Sequence, residues 1–225
     1  RIRKNLEIIS LLKQPYFIGL LLNYLFTIQH LTTIECTDLT SEFDDRFWVE
    51  SAVNTEDYHG LSIHYVTRLM CHYIMDEEMV KEYSLDVLQY NSAIQGSFAY
   101  PVSLFYSSLA LLRYYDIKNN SHEIIRVITE NLDQLQAIAE IAPMNYQHQY
   151  DLVRAELCRV HNEYWDALKL YEKAINGARK NGFIHEEAVG SELAGCFLLS
   201  CGMDDIAGIY LKNAYTCYTQ WEALL

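Results

Sequence analysis

The stretch that decides the fold is YWDALKLYEKA at residues 164–174, and its pattern returns as DIAGIYLKNA at residues 205–214. Each stretch carries a signature in which a small residue is followed by a large one after four positions and a small one after seven. The signature residues are Ala167, Tyr171, Ala174, Ala207, Leu211 and Ala214. A small residue allows the two helices of a hairpin to approach closely, and the large residue fills the space to the next hairpin.

The two signatures are separated by a fixed interval, because Ala207 lies 40 residues after Ala167. Two further intervals of similar size, counted backwards, reach the neighbourhoods of Ile124 and Val80, each near the start of the second helix of a predicted pair. The usual tetratricopeptide period is about 34 residues. The sequence therefore predicts an all-α fold, a tetratricopeptide-like α-solenoid of antiparallel helical hairpins with a longer period. An unrelated helical bundle is the alternative.

Turn residues predict where the helices begin and end. Asp76 and Ser121 are predicted to be N-caps. Pro143 is predicted to end one helix, and Gly182 to end another in the left-handed conformation. The predicted helices span residues 2–13, 15–34, 58–75, 77–95, 101–115, 121–140, 145–160, 164–180, 184–200 and 203–221, with a short helix, capped by Asp44 or Asp45, that ends at Val53.

The predicted chain has two parts. Residues 1–53 form an N-terminal helical segment, interpreted as the tail of an earlier repeat, and residues 54–225 form the tetratricopeptide-like repeats. The chain starts without Met and runs to its last residue in helix-forming sequence, so we expect it to be a piece of a longer polypeptide.

Composition limits the class of protein. The chain has 225 residues, 51% of them hydrophobic, and only 3 Pro and 9 Gly, too few breakers for a β-sandwich or barrel of this length. The formal net charge of −13 repels a phosphate backbone, so we expect no nucleic-acid partner. The most apolar stretch, residues 16–31, is too short for a membrane span. Six scattered Cys residues, read as buried and reduced thiols, predict a cytoplasmic protein.

Residues that could carry chemistry form no recognised motif. Phosphate-binding glycine loops and nucleophile motifs are missing from the sequence. His64, Cys71 and His72 could be imagined as metal ligands, but neighbours on a helix diverge by about 100° and cannot face one ion. Acidic pairs such as Glu186 and Glu187 lie near predicted helix N-termini, where the helix dipole stabilises them. We therefore predict no catalytic residue, no cofactor and no metal.

Of the 18 Tyr residues, 13 that lie between Tyr83 and Tyr218 recur at helical spacing. We interpret them as packing residues whose hydroxyls reach the surface, with a tyrosine-rich face that grips a partner peptide as the alternative.

Several stretches resemble a known family. They are FAYPVSLFYSSLALL at 98–112, NLDQL at 131–135, APMNYQHQYDLVRAE at 142–156, AINGARKNGFIHEEA at 174–188 and ELAGCF at 192–197. Together they resemble the helical-repeat region of the large multi-sensor signal transduction kinases, and the resemblance runs from about Asn54 to the end. Two positions depart from the family, with Gln149 where it usually has Lys and Glu222 where it usually has Gly.

In that family a serine/threonine kinase-like domain and an AAA-type ATPase precede the helical region, and a GAF sensor and a histidine kinase follow it. The resemblance implies a non-catalytic interaction and coupling region, whose partners are flanking domains of the same chain or a signalling protein. One alternative is the regulatory helical-repeat region of an ATP-dependent transcriptional activator, which a helix-turn-helix domain downstream would favour. Another is an all-α enzyme with an unrecognised cleft.

Overall fold

The computed structural model describes residues 45–76, 78–115 and 121–221. This part of the chain contains nine α-helices and one 3-10 helix and no β-strand, so the all-α prediction is confirmed there. The helices are α1 (Asp45–Asn54), α2 (Tyr58–Ile74), α3 (Val80–Tyr90), α4 (Ala99–Arg113), α5 (Ser121–Ile141), α6 (Pro143–Val160), α7 (Tyr164–Asn181), α8 (Ile184–Ser200) and α9 (Asp204–Gln220), and the 3-10 helix (Asn91–Ile94) follows α3.

Several predictions concern residues outside this part of the chain. Among them are the two helices within residues 2–34, the apolar stretch 16–31, the buried thiol of Cys36 and the cap at Asp44. Among the helices that the structure describes, none is both long enough and apolar enough to cross a lipid bilayer.

The chain divides into two compact units, residues 1–103 and 104–225, so that the division falls inside α4. The sequence-based prediction places a domain boundary after residue 53, near the end of α1. This boundary remains a prediction. In the described part of the first unit, α2 packs against α1, α3 and the 3-10 helix. The carboxylate of Asp57 caps α2 by accepting from the Gly60 amide at 2.9 Å.

The start of α3 differs from the prediction. Asp76 does not cap a helix, because its φ of 55° places it in the left-handed region, where it ends α2. Asp tolerates this conformation better than most residues, since its short side chain can hydrogen-bond locally. The α3 helix begins only at Val80, after Met79, which makes no side-chain cap. The helix predicted over 77–95 is therefore shorter and continues as a 3-10 helix.

The second unit is built from helices that pack in chain order. Among them α5 packs on α6, α6 on α7, α7 on α8 and α8 on α9, while α6 also touches α8. The turns are short. Pro143 occupies the first turn of α6, as its missing amide hydrogen allows, and Gly182 ends α7 with φ of 82°, which confirms the predicted left-handed stop.

Candidate interaction site

The signature residues lie where the helices of the second unit meet. Five of the six are buried, and Leu211 is half-buried. Tyr171 contacts the ring of Phe197 on α8 at 5.5 Å between centroids, and its hydroxyl donates a hydrogen bond to Glu156 on α6. Leu211 packs so closely on Gly195 that a Cβ atom at that glycine would lie 2.7 Å from the leucine Cγ. These residues therefore serve helix packing.

The hydroxyl groups of the tyrosines have partners that the sequence did not reveal. The prediction that they reach the surface is wrong for Tyr171, whose side chain is fully buried. Tyr218 donates to Glu192 at 2.7 Å, and Tyr210 donates to Glu172. Each pair joins two different helices, so these hydroxyls tie helices together.

A buried polar cluster joins α6 to α8. His148 Nε2 donates to one carboxylate oxygen of Glu186, and Gln149 Nε2 donates to the other at 2.7 Å. Burial by itself would raise the pKa of Glu186, but the hydrogen bonds from His148 and His185 outweigh it and lower that pKa to about 2. Because an ionised carboxylate only accepts, the proton lies on His148 Nε2. The helix-dipole interpretation of Glu186 missed this partnership.

Glu187 extends the polar contacts to α7 and α9. Arg179 Nε donates to its Oε1 at 2.8 Å, and Asn213 Nδ2 donates to the same oxygen at 3.2 Å. Asn213 also donates to Ser191 Oγ at 2.7 Å. Together with the bonds of Glu186, these contacts link all four helices from α6 to α9.

The polar cluster does not have the access that catalysis requires. The side chains of His148 and Glu186 are 2% and 5% exposed, so a substrate cannot reach the imidazole in this conformation. Its hydrogen bonds join α6 to α8, while His148 Nδ1 and Gln149 Oε1 are buried without a hydrogen-bond partner.

The imagined metal ligands are packing residues on α2. His64 lies against the rings of Trp48 and Tyr65, and His72 stacks on Tyr83 at 5.0 Å. Within 45–76, 78–115 and 121–221, the His, Cys, Asp and Glu side chains form no group of three that could hold a metal ion.

The prediction of buried thiols is correct only in part. Cys71, Cys158 and Cys217 are buried, whereas Cys196 is exposed and Cys201 is half-exposed. Cys196 lies on the outer face of α8, between the inward-facing Gly195 and Phe197, so helical geometry turns it towards solvent. Burial raises the pKa of the Cys158 thiol to about 11.

An apolar groove opens at one end of the second unit. It encloses about 310 Å³. Its lining residues come from the start of α7, the end of α8 and the turn before α9, and they are Tyr164, Trp165, Leu168, Phe197, Leu198, Ser200, Cys201 and Met203. We call this feature the α7–α9 groove.

The α7–α9 groove combines a buried floor with exposed walls. Phe197 and Leu198 are buried beneath it, whereas Trp165 is 77% and Met203 46% exposed. Trp165 and Met203 therefore place exposed apolar side chains at the edge of the groove. Sequence reasoning placed Trp165 only within the repeat, because the groove depends on three segments that meet in the fold.

A second, more polar pocket of about 330 Å³ lies in the first unit. Its walls include Arg46, Glu50, Tyr65, Glu82 and Asp86 from α1, α2 and α3. Burial and then the nearby Glu82 raise the pKa of Asp86. The guanidinium group of Arg46 already supplies a positive charge among the acidic side chains of this pocket. The pocket is therefore a weaker candidate for an interaction site than the α7–α9 groove.

Comparison with known proteins identified no match to this chain. No protein-family model, no curated protein and no solved structure matches the chain. The function is therefore argued from the groove and from the resemblance of the sequence stretches.

Proposed function

We propose that this chain is a helical-repeat interaction and coupling region of a large cytoplasmic signal transduction kinase. It takes no part in chemistry itself and joins ATPase or kinase modules to a downstream sensor and histidine kinase. The single observation that carries the proposal is the α7–α9 groove with Trp165 exposed at its wall. Clusters of exposed aromatic side chains beside apolar pockets are where protein partners bind most strongly.

The spacing of the helices supports a repeat architecture. The α6 and α8 helices begin 41 residues apart, and the α7 and α9 helices begin 40 residues apart, at Tyr164 and Asp204. The contact between α6 and α8 is the one expected between the first helices of successive hairpins. These observations favour a tetratricopeptide-like solenoid with a period of about 40 residues. Stacked hairpins present the extended surfaces on which such proteins bind partners.

The polar contacts supply a physical route for coupling. Glu186 and Glu187 are bonded to side chains of α6, α7 and α9, and Phe197 and Leu198 on the same α8 helix form the floor of the groove. A partner that shifts α8 at the groove therefore displaces groups that hold the other three helices. Packed side chains and hydrogen bonds that connect helices are a physical means by which coupling between sites is carried.

Photo-crosslinking of the intact parent protein tests the proposal. A photoreactive phenylalanine analogue replaces Trp165 in one variant and Lys180, exposed at the far end of α7, in the control. We expect position 165 to crosslink to a kinase, ATPase or sensor module of the same chain, or to one signalling partner, and position 180 to give none of these products. Equal crosslinking at the two positions, or none at 165, contradicts the proposal.

A further inference from the structure

We propose that the polar pocket of the first unit binds a small organic ammonium ion. The charge of this ion lies among carboxylates of α1 and α3, and its alkyl groups contact tyrosine rings. We call this feature the α1–α3 pocket. The inference concerns other residues than those of the α7–α9 groove, so it does not depend on the proposed function. It follows from the charges and the rings that line the pocket.

The carboxylates of the α1–α3 pocket belong to its lining. Glu50 comes from α1, and Glu82 and Asp86 come from α3. Glu82 and Asp86 are four residues apart, so they are neighbours on one face of their helix. Among the lining side chains that the structure describes, the permanent cation is Arg46. Three carboxylates against one guanidinium group make the pocket attractive to a further cation.

The pKa of Asp86 indicates that Arg46 does not neutralise this carboxylate. Burial and then repulsion from Glu82 raise the pKa of Asp86 above its ordinary value. A guanidinium group close to the carboxylate would favour its charged form and lower the pKa instead. A cation that enters the pocket therefore relieves a repulsion between two side chains of α3.

Tyrosine rings supply the second half of the site. Tyr65 and Tyr83 both line the pocket, and their ring centroids lie 6.3 Å apart. Tyr65 stacks on Tyr90 at 5.7 Å, and Tyr83 stacks on His72 at 5.0 Å, so both rings are held by neighbours of their own. Tyrosine rings attract organic cations electrostatically, and the thioether of Met79 offers apolar surface to alkyl groups.

The arrangement favours an organic cation over a metal ion. In the part of the chain that the structure describes, no three His, Cys, Asp or Glu side chains come together as metal ligands would. The carboxylates instead surround a volume of about 330 Å³, which is at the lower end of the range for ligand pockets. A small cation with apolar groups fits this volume, and an anionic ligand such as a nucleotide is repelled.

A titration with choline tests the inference. Choline is compared with dimethylbutanol, the neutral alcohol in which carbon replaces its nitrogen, and with potassium chloride at the same concentration. Amide chemical shifts of the isotope-labelled whole chain, recorded by NMR, give the Kd of each. We expect choline to bind at least about fivefold more tightly than either comparison compound, because only choline offers both a charge and apolar groups.

Variants of the chain locate the choline site. Glu82→Gln with Asp86→Asn should weaken choline binding roughly three- to tenfold. This pair of changes should not lower the melting temperature, since it removes a repulsion. Arg46→Gln should strengthen binding about two- to fivefold, because it removes a like charge from the lining. The control, Asp133→Asn with Glu140→Gln on exposed positions of α5, removes two negative charges and should leave the Kd unchanged.

The outcomes decide the inference without reference to the α7–α9 groove. Selective choline binding that weakens with the α3 variant and strengthens with Arg46→Gln supports it. Binding of dimethylbutanol or potassium as tight as that of choline overturns it, and so does the absence of choline binding. Equal losses in the α3 variant and the α5 control also overturn it. The proposed function is then still judged by the crosslinking experiment alone.

Discussion

The buried hydroxyl of Tyr171 shows at the scale of one residue how the second unit is held together. It donates to Glu156, and Arg159 Nη2 donates to the same carboxylate group at 2.7 Å. The guanidinium group thus compensates a carboxylate that is almost fully buried. Since a buried charge without partners is strongly destabilising, the tyrosine and the arginine are both needed.

Removal of the Tyr171 hydroxyl should therefore be costly. We expect Tyr171→Phe to lower the free energy of unfolding by about 1–3 kcal/mol, because a hydrogen bond to a buried carboxylate is broken. The control is Tyr210→Phe, whose bond to Glu172 is exposed and can be replaced by water, so the loss should be below about 0.5 kcal/mol. Urea unfolding followed by circular dichroism measures both. Equal losses would show that burial of the bond does not matter.

Glu186 predicts a dependence of stability on pH. Its pKa is about 2 in the folded chain, below the ordinary value of 4.5, so its contribution is present above about pH 4.5 and is lost as the pH falls towards 2. The full contribution is on the order of 3 kcal/mol.

Comparison of the chain with its Glu186→Gln variant isolates this contribution. We expect the difference in unfolding free energy to be largest near neutral pH and to narrow as the pH falls from 5 to 3, because protonation of Glu186 in the unfolded chain removes the advantage of the charged form. A difference that stays constant over that range would show that the ionised carboxylate does not contribute.

Whether the sequence could predict one of these contacts depends on whether it involves one helix or separate helices. Tyr171 was found as a large residue of the signature, because spacing within one helix is visible in the sequence. Its bond to Glu156 and the bond between His148 and Glu186 depend on how separate helices meet. No local pattern encodes how separate helices meet, and a single sequence offers no other signal.

At the scale of the helices, the packing of α8 against α9 depends on Gly195. Its missing side chain gives room to Leu211, whereas Gly208 on α9 has no atom near the place where a Cβ would lie. Both glycines are inside helices. The two glycines have the same helical backbone and differ in what surrounds an added Cβ atom. Alanine substitutions at the two positions therefore form a matched pair.

Gly208→Ala should raise the free energy of unfolding by about 0.5–1 kcal/mol, since alanine is the better helix former and nothing opposes it. Gly195→Ala has the same helix-propensity gain, but its added methyl group displaces Leu211 at a cost of about 1–3 kcal/mol, so we expect a net loss of up to about 2 kcal/mol. Thermal and urea unfolding of the two variants measure the difference. A gain for Gly195→Ala would show that α8 and α9 do not pack as closely as described.

Ala167 tests the small position of the signature. Its side chain is fully buried, so Ala167→Leu should overpack the contact and lower the free energy of unfolding by about 1–3 kcal/mol. The control is Ala137→Leu on an exposed position of α5, where leucine and alanine are both good helix formers and the change should be within about 0.5 kcal/mol. If Ala167→Leu is as harmless as the control, the signature does not mark a close approach of helices.

The predicted helix boundaries were most accurate where a turn has a strong local cause. The helix over 184–200 was predicted with its actual bounds, and Gly182 ends α7 as expected. The prediction for the start of α3 was wrong because Asp76 suits either an N-cap or a left-handed turn. The sequence alone does not distinguish the two.

At the scale of the whole molecule, the features that matter are the acidic charge and the α7–α9 groove. The charge could be read from the composition. The groove could not, because its lining comes from residues 164–168 and 197–203, which meet only in the folded chain. The proposed function requires above all that a protein partner covers Trp165 and its neighbours in the proposed parent kinase.

Hydroxyl-radical footprinting read by mass spectrometry measures that claim directly. It compares oxidation of Trp165 and Met203, which are exposed at the groove, with that of Met144, which is 69% exposed outside it and serves as the internal control. We expect all three side chains to be oxidised in the 225-residue chain alone, and only Trp165 and Met203 to be protected in the proposed parent kinase. Equal oxidation of Trp165 and Met203 in both samples would contradict it.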